Sequence, residues 1–305
     1  MTDSAVKIVN KIPTHVFEWR LHRENVPLIM VVPGSPGMGH FYIPFARKLF
    51  QLGKGAYEVS VVSHAGHSPG HRRRNRDGRN WYKLEDQVEH KLAYIRERAK
   101  SGNPIILVGH SIGCYMIMQM LKELSPDTVQ QAFFLFPTIE DMSNAKRGKE
   151  LYPVFIWFRF LVLFFVWLGS CLPRSFQTWI MRSYFNNSPR DHIDYTVEGA
   201  VNLVNTACVN NCFRMAVQEL TEVNKLDTEV LDVNIDKISF YYGAKDHWVP
   251  PSCFPQMKSR YPDNNIVQCE NGYHHAFVLA ESNEMAEYVH SKLRLSGHPS
   301  GVKLL

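Results

Sequence analysis

Hydrophobic and polar positions run along this chain in blocks that switch period. Continuous apolar runs at 28–32, 59–62, 105–108, 133–136 and 238–242 predict strands buried on both faces. A sixth strand is predicted at 265–269, and the weak alternation over 16–21 predicts an edge strand. Between these runs the period lengthens. Leu84, Val88, Leu92 and Ile95 share one helical face, with charges opposite. Residues 41–52, the segment after Ser111, and 285–293 also predict helices. Strands alternating with helices imply an α/β fold, a mostly parallel sheet covered by helices on both faces. We expect one domain over residues 1–305. The alternation breaks once: from Pro137 to Asp236 nothing reads as a strand. Residues 138–236 are therefore expected to form a helical insertion, a cap between two late strands. Internal repeats and low-complexity segments are absent from the sequence.

That insertion holds the most apolar stretch of the chain, LYPVFIWFRFLVLFFVWLGSCLP over 151–173, whose one charge is Arg159. At a rise of about 1.5 Å per residue it could nominally cross a hydrocarbon core of about 30 Å. A single crossing would place the strands before and after it on opposite sides of a membrane, yet they must pair in one sheet. Basic residues flank both ends (Lys146, Arg147, Lys149; Arg174, Arg182), which keeps both ends on the cytosolic side. The expectation is a hairpin or in-plane helix dipping into one leaflet, with Phe155, Trp157, Phe158, Phe164, Phe165 and Trp167 at the interface. A buried cap helix over an acyl-chain pocket and a dimer interface are the other readings.

Composition changes this picture little. The 305 residues are 45% hydrophobic and 21% charged, with a formal net charge of +5, as in ordinary globular proteins. Part of the excess is local: HRRRNRDGR, 71–79, supplies five arginines and reads as a solvated loop, with contact to anionic headgroups or acidic partners as the alternative. No nucleic-acid-binding motif accompanies it, so nucleic acid is not an expected partner. The six cysteines show no C-x-x-C pair, which suits a reducing compartment. The N-terminus lacks the apolar core of a signal peptide. In a cytosolic chain the Asn186 sequon would stay unglycosylated.

Candidate chemistry centres on Gly109-His110-Ser111-Ile112-Gly113, a G-x-S-x-G run between an apolar strand and an apolar helix. The spacing makes Ser111 the apex of a sharp strand-to-helix turn, and Gly109 and Gly113 let the neighbouring elements approach. A helix N-cap serine is the plainer reading. A nucleophilic serine needs a base, an acid and two oxyanion donors, and in this topology the acid and then the base follow it along the chain. Asp246, in the loop after the fifth run, is the expected acid; Glu140 and Asp141 are substitutes, and a turn aspartate is the plainer reading. His274 and His275 are adjacent near the end, and His275 is favoured as the base. The turn Pro33-Gly34-Ser35-Pro36-Gly37 follows the first buried strand. Pro36 has no amide hydrogen, so the amide of Ser35 is the expected partner of the Ile112 amide in an oxyanion hole. Ser63-His64-Ala65-Gly66-His67, with His71, could hold a metal. Its spacing is irregular and no acidic residue is close, so we expect it to line the rim of the site. No metal and no cofactor are expected.

The runs VVPGSPGMGHFYIPFARKLF, VVSHAGHSPG, QVEHKLAYIRE, LVGHSIGCYM, FLFPTIEDMS, FYYGAKDHWVP and HHAFV resemble the lipid droplet-associated hydrolase family, within the α/β-hydrolases. They cover most of the chain outside the insertion. The family's His-Ala-Phe pattern near its end implies His275 rather than His274. The resemblance implies a triad of Ser111, Asp246 and His275, and association with lipid droplets and endoplasmic reticulum through the apolar insertion. It implies a neutral-lipid or sterol ester as substrate only loosely. The family pattern admits Asn between the two Pro-Gly pairs where this chain has Ser35; the donor is a backbone amide, so the change should be tolerated. The expected activity is that of a cofactor-free serine hydrolase of lipid esters. A weakly active droplet protein and a lipid acyltransferase are its rivals.

Overall fold

The structure is a computed structural model describing residues 2–21, 23, 26–67, 81–99 and 102–295. The arginine-rich run 71–79 and His71 lie outside the described residues. Eight strands form one sheet in the order β1-β2-β4-β3-β5-β6-β7-β8. They are β1 (Thr2–Val9), β2 (Ile12–Trp19), β3 (Leu28–Val32), β4 (Glu58–Val62), β5 (Ile105–His110), β6 (Val129–Leu135), β7 (Ile238–Tyr242) and β8 (Ile266–Gln268). β1 and β2 are antiparallel to their neighbours; β4, β3, β5, β6, β7 and β8 run parallel. β3, β4, β5 and β7 are buried at every position, which explains their lack of alternation.

Helices α1 (Ile43–Gly53) and α11 (Ser282–Ser291) pack together on one face of the sheet; α2 (Leu84–Ala99) and α3 (Ile112–Glu123) pack together on the other, and α10 (Cys253–Arg260) joins β7 to β8. The apolar face of each closes one of two cores. Alternating side chains of β3 serve both, Met30 and Val32 on one side, Ile29 and Val31 on the other.

Between β6 and β7 lie α4 (Lys146–Ile156), α5 (Arg159–Ser170), α6 (Arg174–Tyr184), α7 (Ile193–Leu203), α8 (Thr206–Glu222) and α9 (Thr228–Asn234). The apolar stretch 151–173 is not one helix. It spans most of α4 and all of α5, which meet at a 76° bend. Pro153 lies inside α4 and cannot donate to the preceding turn. At the break the amides of Trp157 and Phe158 both bond the Pro153 carbonyl. Among the described residues no single helix is long and apolar enough to cross a membrane, but the bent pair passes that test together. α5 packs on α8 yet buries none of its residues fully.

The N-terminal edge departs from the sequence reading. The expected edge strand at 16–21 starts earlier, at Ile12, and is itself covered by β1. Asn10 and Lys11 turn the chain between them with φ of 47° and 65°, the left-handed pair that a tight hairpin requires. No glycine marks that turn, so sequence punctuation did not reveal it.

Candidate active site

Ser111 sits where β5 ends and α3 begins, with φ 53° and ψ −125°, a conformation that costs a non-glycine residue on the order of 1–3 kcal/mol. The surroundings enforce it. The Ser111 amide bonds the Leu135 carbonyl at 3.0 Å, and the Ser111 carbonyl accepts from the Cys114 amide at 3.0 Å. A β-carbon on Gly109 would lie 2.9 Å from backbone atoms of Cys114, and one on Gly113 would lie 2.3 Å from the Val32 carbonyl oxygen. Only glycine at both places lets α3 start against the ends of β3 and β5.

The carboxyl ends of the neighbouring strands supply the other groups. Asp246 follows β7, and its Oδ1 accepts from the amides of Trp248 (2.8 Å) and Val249 (3.2 Å). Oδ2 is left facing His275 Nδ1 at 2.7 Å. His275 follows β8, and its Nε2 is 2.9 Å from Ser111 Oγ. A carboxylate beside Nδ1 holds the proton there and leaves Nε2 as acceptor, so the Ser111 hydroxyl donates to His275. The Asp246 side chain is 2% exposed and that of His275 14%. Phe136, Trp248 and His110 surround the imidazole with ring centroids 5.2–6.2 Å away.

The structure thus brings Ser111, Asp246 and His275 together and leaves their sequence rivals elsewhere. His274 is 80% exposed and pairs with Glu281 at 2.8 Å. Asp141 Oδ1 accepts from Asn144. Glu140 lines a surface cleft with Leu226, Met257 and Arg260; burial and Asp141 raise its pKa.

Ser35 is exposed in the turn after β3, and its amide has no hydrogen-bond acceptor among the described residues. The neighbouring amides are occupied: Gly34 donates to Tyr42 Oη at 2.6 Å, and Gly37 to the Gly34 carbonyl at 2.7 Å. Ile112, the other expected donor, opens α3 and is fully buried.

The histidines after β4 brace this same turn. The His64 amide bonds the Gly37 carbonyl at 2.9 Å. His67 Nδ1–H donates to the Pro36 carbonyl, to which Cys212 Sγ also points at 3.6 Å. Ligand atoms of His67, Cys208 and Cys212 lie within 4.8 Å of one another, close enough for a metal, but their hydrogen bonds do not suit one. The Tyr82 amide fixes Asn211 Oδ1 (2.6 Å), which turns Asn211 Nδ2 toward His67 Nε2 (2.5 Å). Nε2 is then the acceptor and Nδ1 the donor. Both nitrogens are used, and neither aims a lone pair at the thiols. The trio joins α8 to the turn that carries Ser35.

Three contributors escaped sequence reading: Tyr42, His110 and Thr138, whose hydroxyl is 3.5 Å from Ser111 Oγ; His67, expected at the rim of the site, bonds the Pro36 carbonyl of the turn that carries Ser35. His110 occupies a free position of the G-x-S-x-G run, so the motif itself carries no signal for it.

A family model described as lipid-droplet associated hydrolase matches residues 25–278. The lipid droplet-associated hydrolase of Gallus gallus is 34% identical over 280 residues, covering 89% of this chain and 86% of the relative. The protein of the same name from Drosophila melanogaster is 32% identical over 308 residues, covering 94% and 96%. Among solved structures, E-2-(acetamidomethylene)succinate hydrolase superposes with a TM-score of 0.63 at 16% identity, over 95% of this chain and 98% of that one. A bacterial membrane phospholipase A gives 0.60 at 14%, over 95% and 85%. At such identities these likenesses speak for the fold alone, which is that of the α/β-hydrolases. With the family model spanning most of its length and relatives above 30% identity covering nearly all of it, this chain belongs to the lipid droplet-associated hydrolase family.

Proposed function

We propose that this protein is a serine hydrolase of lipid esters, acting through an acyl-enzyme on Ser111 at the cytosolic surface of lipid droplets and the endoplasmic reticulum. The observation that carries the reading is one imidazole placed between a hydroxyl and a carboxylate, 2.9 Å from Ser111 Oγ and 2.7 Å from Asp246 Oδ2. Family membership supports a hydrolase.

In the proposed sequence Ser111 Oγ attacks the acyl carbonyl while His275 Nε2 takes the hydroxyl proton. Asp246 keeps the His275 Nδ1 proton in place and stabilises the imidazolium. Negative charge on the former carbonyl oxygen falls to the amides of Ser35 and Ile112. The tetrahedral adduct collapses, the ester C–O bond breaks, and His275 passes its proton to the leaving alcohol. Water, deprotonated by His275, then attacks the acyl-enzyme; the acid leaves and Ser111 regains its proton. No step needs a metal or cofactor.

The insertion, residues 138–236, is proposed as the cap and docking element. Trp157, Phe160, Phe164, Phe165 and Trp167 on the α4–α5 bend, and Phe176, Trp179 and Tyr184 on α6, are all at least 45% exposed. So much exposed aromatic surface in one stretch favours a lipid interface over bulk water. Its in-plane placement keeps β6 and β7 on one side of the membrane. The test is to incubate purified wild type and Ser111→Ala with droplets of sterol, glyceryl and retinyl esters and to quantify released acid. Ser111-dependent release from one class assigns the substrate; no release from any class contradicts the reading.

A further inference from the structure

One chain of hydrogen bonds crosses the site without touching the reacting atoms. The Gly34 amide donates to Tyr42 Oη at 2.6 Å. Tyr42 Oη lies 2.6 Å from His110 Nδ1. His110 Nε2 lies 2.8 Å from the backbone carbonyl of His275.

The proton positions follow from counting. The His275 carbonyl only accepts, so His110 Nε2 carries the hydrogen. His110 is enclosed by Phe136 and Phe277 as well as His275, with ring centroids 4.9–6.2 Å away, and is only 4% exposed. Burial, with His275 beside it, holds its pKa well below the ordinary value, so the ring is neutral and Nδ1 is an acceptor. The single proton of Tyr42 must then go to His110 Nδ1. That leaves a lone pair of the phenol for the Gly34 amide. Every link points the same way, from Gly34 through Tyr42 and His110 to His275, an arrangement in which the bonds polarise one another favourably.

The two ends of this chain matter. Gly34 precedes Ser35, whose amide is the proposed oxyanion donor. A β-carbon on Gly34 would lie 2.8 Å from Ser111 Cβ, so this turn rests directly on the nucleophile. The other end is the peptide of the proposed base. We propose that Tyr42 and His110 are positioning residues that lock the oxyanion turn and the backbone of His275 to one another across Ser111. This rests on the proposed ester-cleaving role of Ser111.

Displacing a reacting group by about 1 Å lowers rates by on the order of 100-fold. Tyr42→Phe keeps the ring but strips Gly34 of its acceptor and His110 of its donor. His110→Asn keeps a polar group near Nδ1 but cannot reach the His275 carbonyl. The experiment measures the rate of fluorophosphonate labelling and the kcat and KM for a short soluble ester, in wild type, Ser111→Ala, each single variant and the double variant. Thermal melts accompany each. Loss of labelling in Ser111→Ala establishes the nucleophile independently; persistence of labelling there refutes the underlying reading instead. Given that loss, the positioning proposal expects labelling and kcat to fall about 10- to 100-fold in each single variant, with KM within about twofold. The double variant should be no slower than the slower single variant, since both cut one chain. Wild-type rates in Tyr42→Phe, or multiplicative losses in the double variant, overturn it. Should either variant fail to fold, the ¹⁵N spectrum of histidine-labelled wild type decides. A neutral His110 protonated at Nε2 supports the proposal, and the Nδ1–H tautomer or an imidazolium at neutral pH overturns it.

Discussion

A β-carbon added to Gly113 would stand 2.3 Å from the Val32 carbonyl oxygen. The first turn of α3 therefore lies directly on the end of β3, and this contact aims both Ser111 and the Pro33–Gly37 turn at one point. Gly113→Ala must move backbone, not a flexible side chain. The expected cost is about 1–3 kcal/mol in urea unfolding, with labelling at Ser111 slowed because the elbow and the turn separate.

Asp246 tests the imidazole's orientation. The Trp248 and Val249 amides hold Oδ1, so in Asp246→Asn the amide oxygen stays there and the NH₂ group faces His275 Nδ1. That donor forces the imidazole proton onto Nε2, where it blocks proton transfer from Ser111. We expect kcat for a soluble ester to drop on the order of 10⁴-fold with an almost unchanged melting temperature.

Acid should destabilise the fold. Burial holds the pKa of His40 at about 3 and that of His67 at about 4. It also pushes His64, His90 and His110 well below the ordinary 6.5. Each stays neutral when folded and takes up a proton when unfolded below pH 6.5. Their stabilising contribution is complete above 6.5 and is lost as pH falls toward the folded values, by at most about 1.4 kcal/mol per pH unit for each histidine. Glu219 works in the opposite sense, because burial raises its pKa to about 8; its contribution shrinks as pH rises from 4.5 to 8. Five histidines outweigh one carboxyl below 6.5, so the urea midpoint should fall from pH 6.5 to pH 5. Glu219→Gln should raise stability at pH 8 more than at pH 5.

The α5 aromatics are predicted to serve docking rather than folding. Phe164 and Trp167 are about half exposed, at 51% and 52%. Phe164→Glu combined with Trp167→Glu should abolish flotation with triolein droplets, while labelling of Ser111 in solution stays within about twofold, as expected for substitutions on an exposed face. Retained flotation would place droplet binding elsewhere.

Much of the sheet was legible because its inner strands are buried on both faces: 28–32 and 238–242 were readable to the residue. β6 was not, since it begins at Val129 with two glutamines. The Gln131 amide is satisfied by backbone at Lys292 and Arg294, distant partners that no local pattern reveals. The break in the apolar stretch was hidden for a different reason. From 154 to 168 the apolar run is interrupted only by Arg159, and only Pro153 hints at a bend. At the candidate site, Ser111, Asp246 and His275 stood out through motif and chain order. Tyr42 and His110 did not, because their roles are hydrogen bonds to groups 8 to 165 residues away; His67 stood out only as a rim or metal candidate, and its bond to the Pro36 carbonyl, 31 residues away, left no local signal.

The central claim is that Ser111 is the acylated nucleophile. Its most direct test is mass spectrometry of the whole protein and its peptides after reaction with a fluorophosphonate. The account predicts one adduct per chain, located on Ser111 and absent from Ser111→Ala. An adduct on another residue, or an unreacted wild type that is folded by its melting curve, would contradict it.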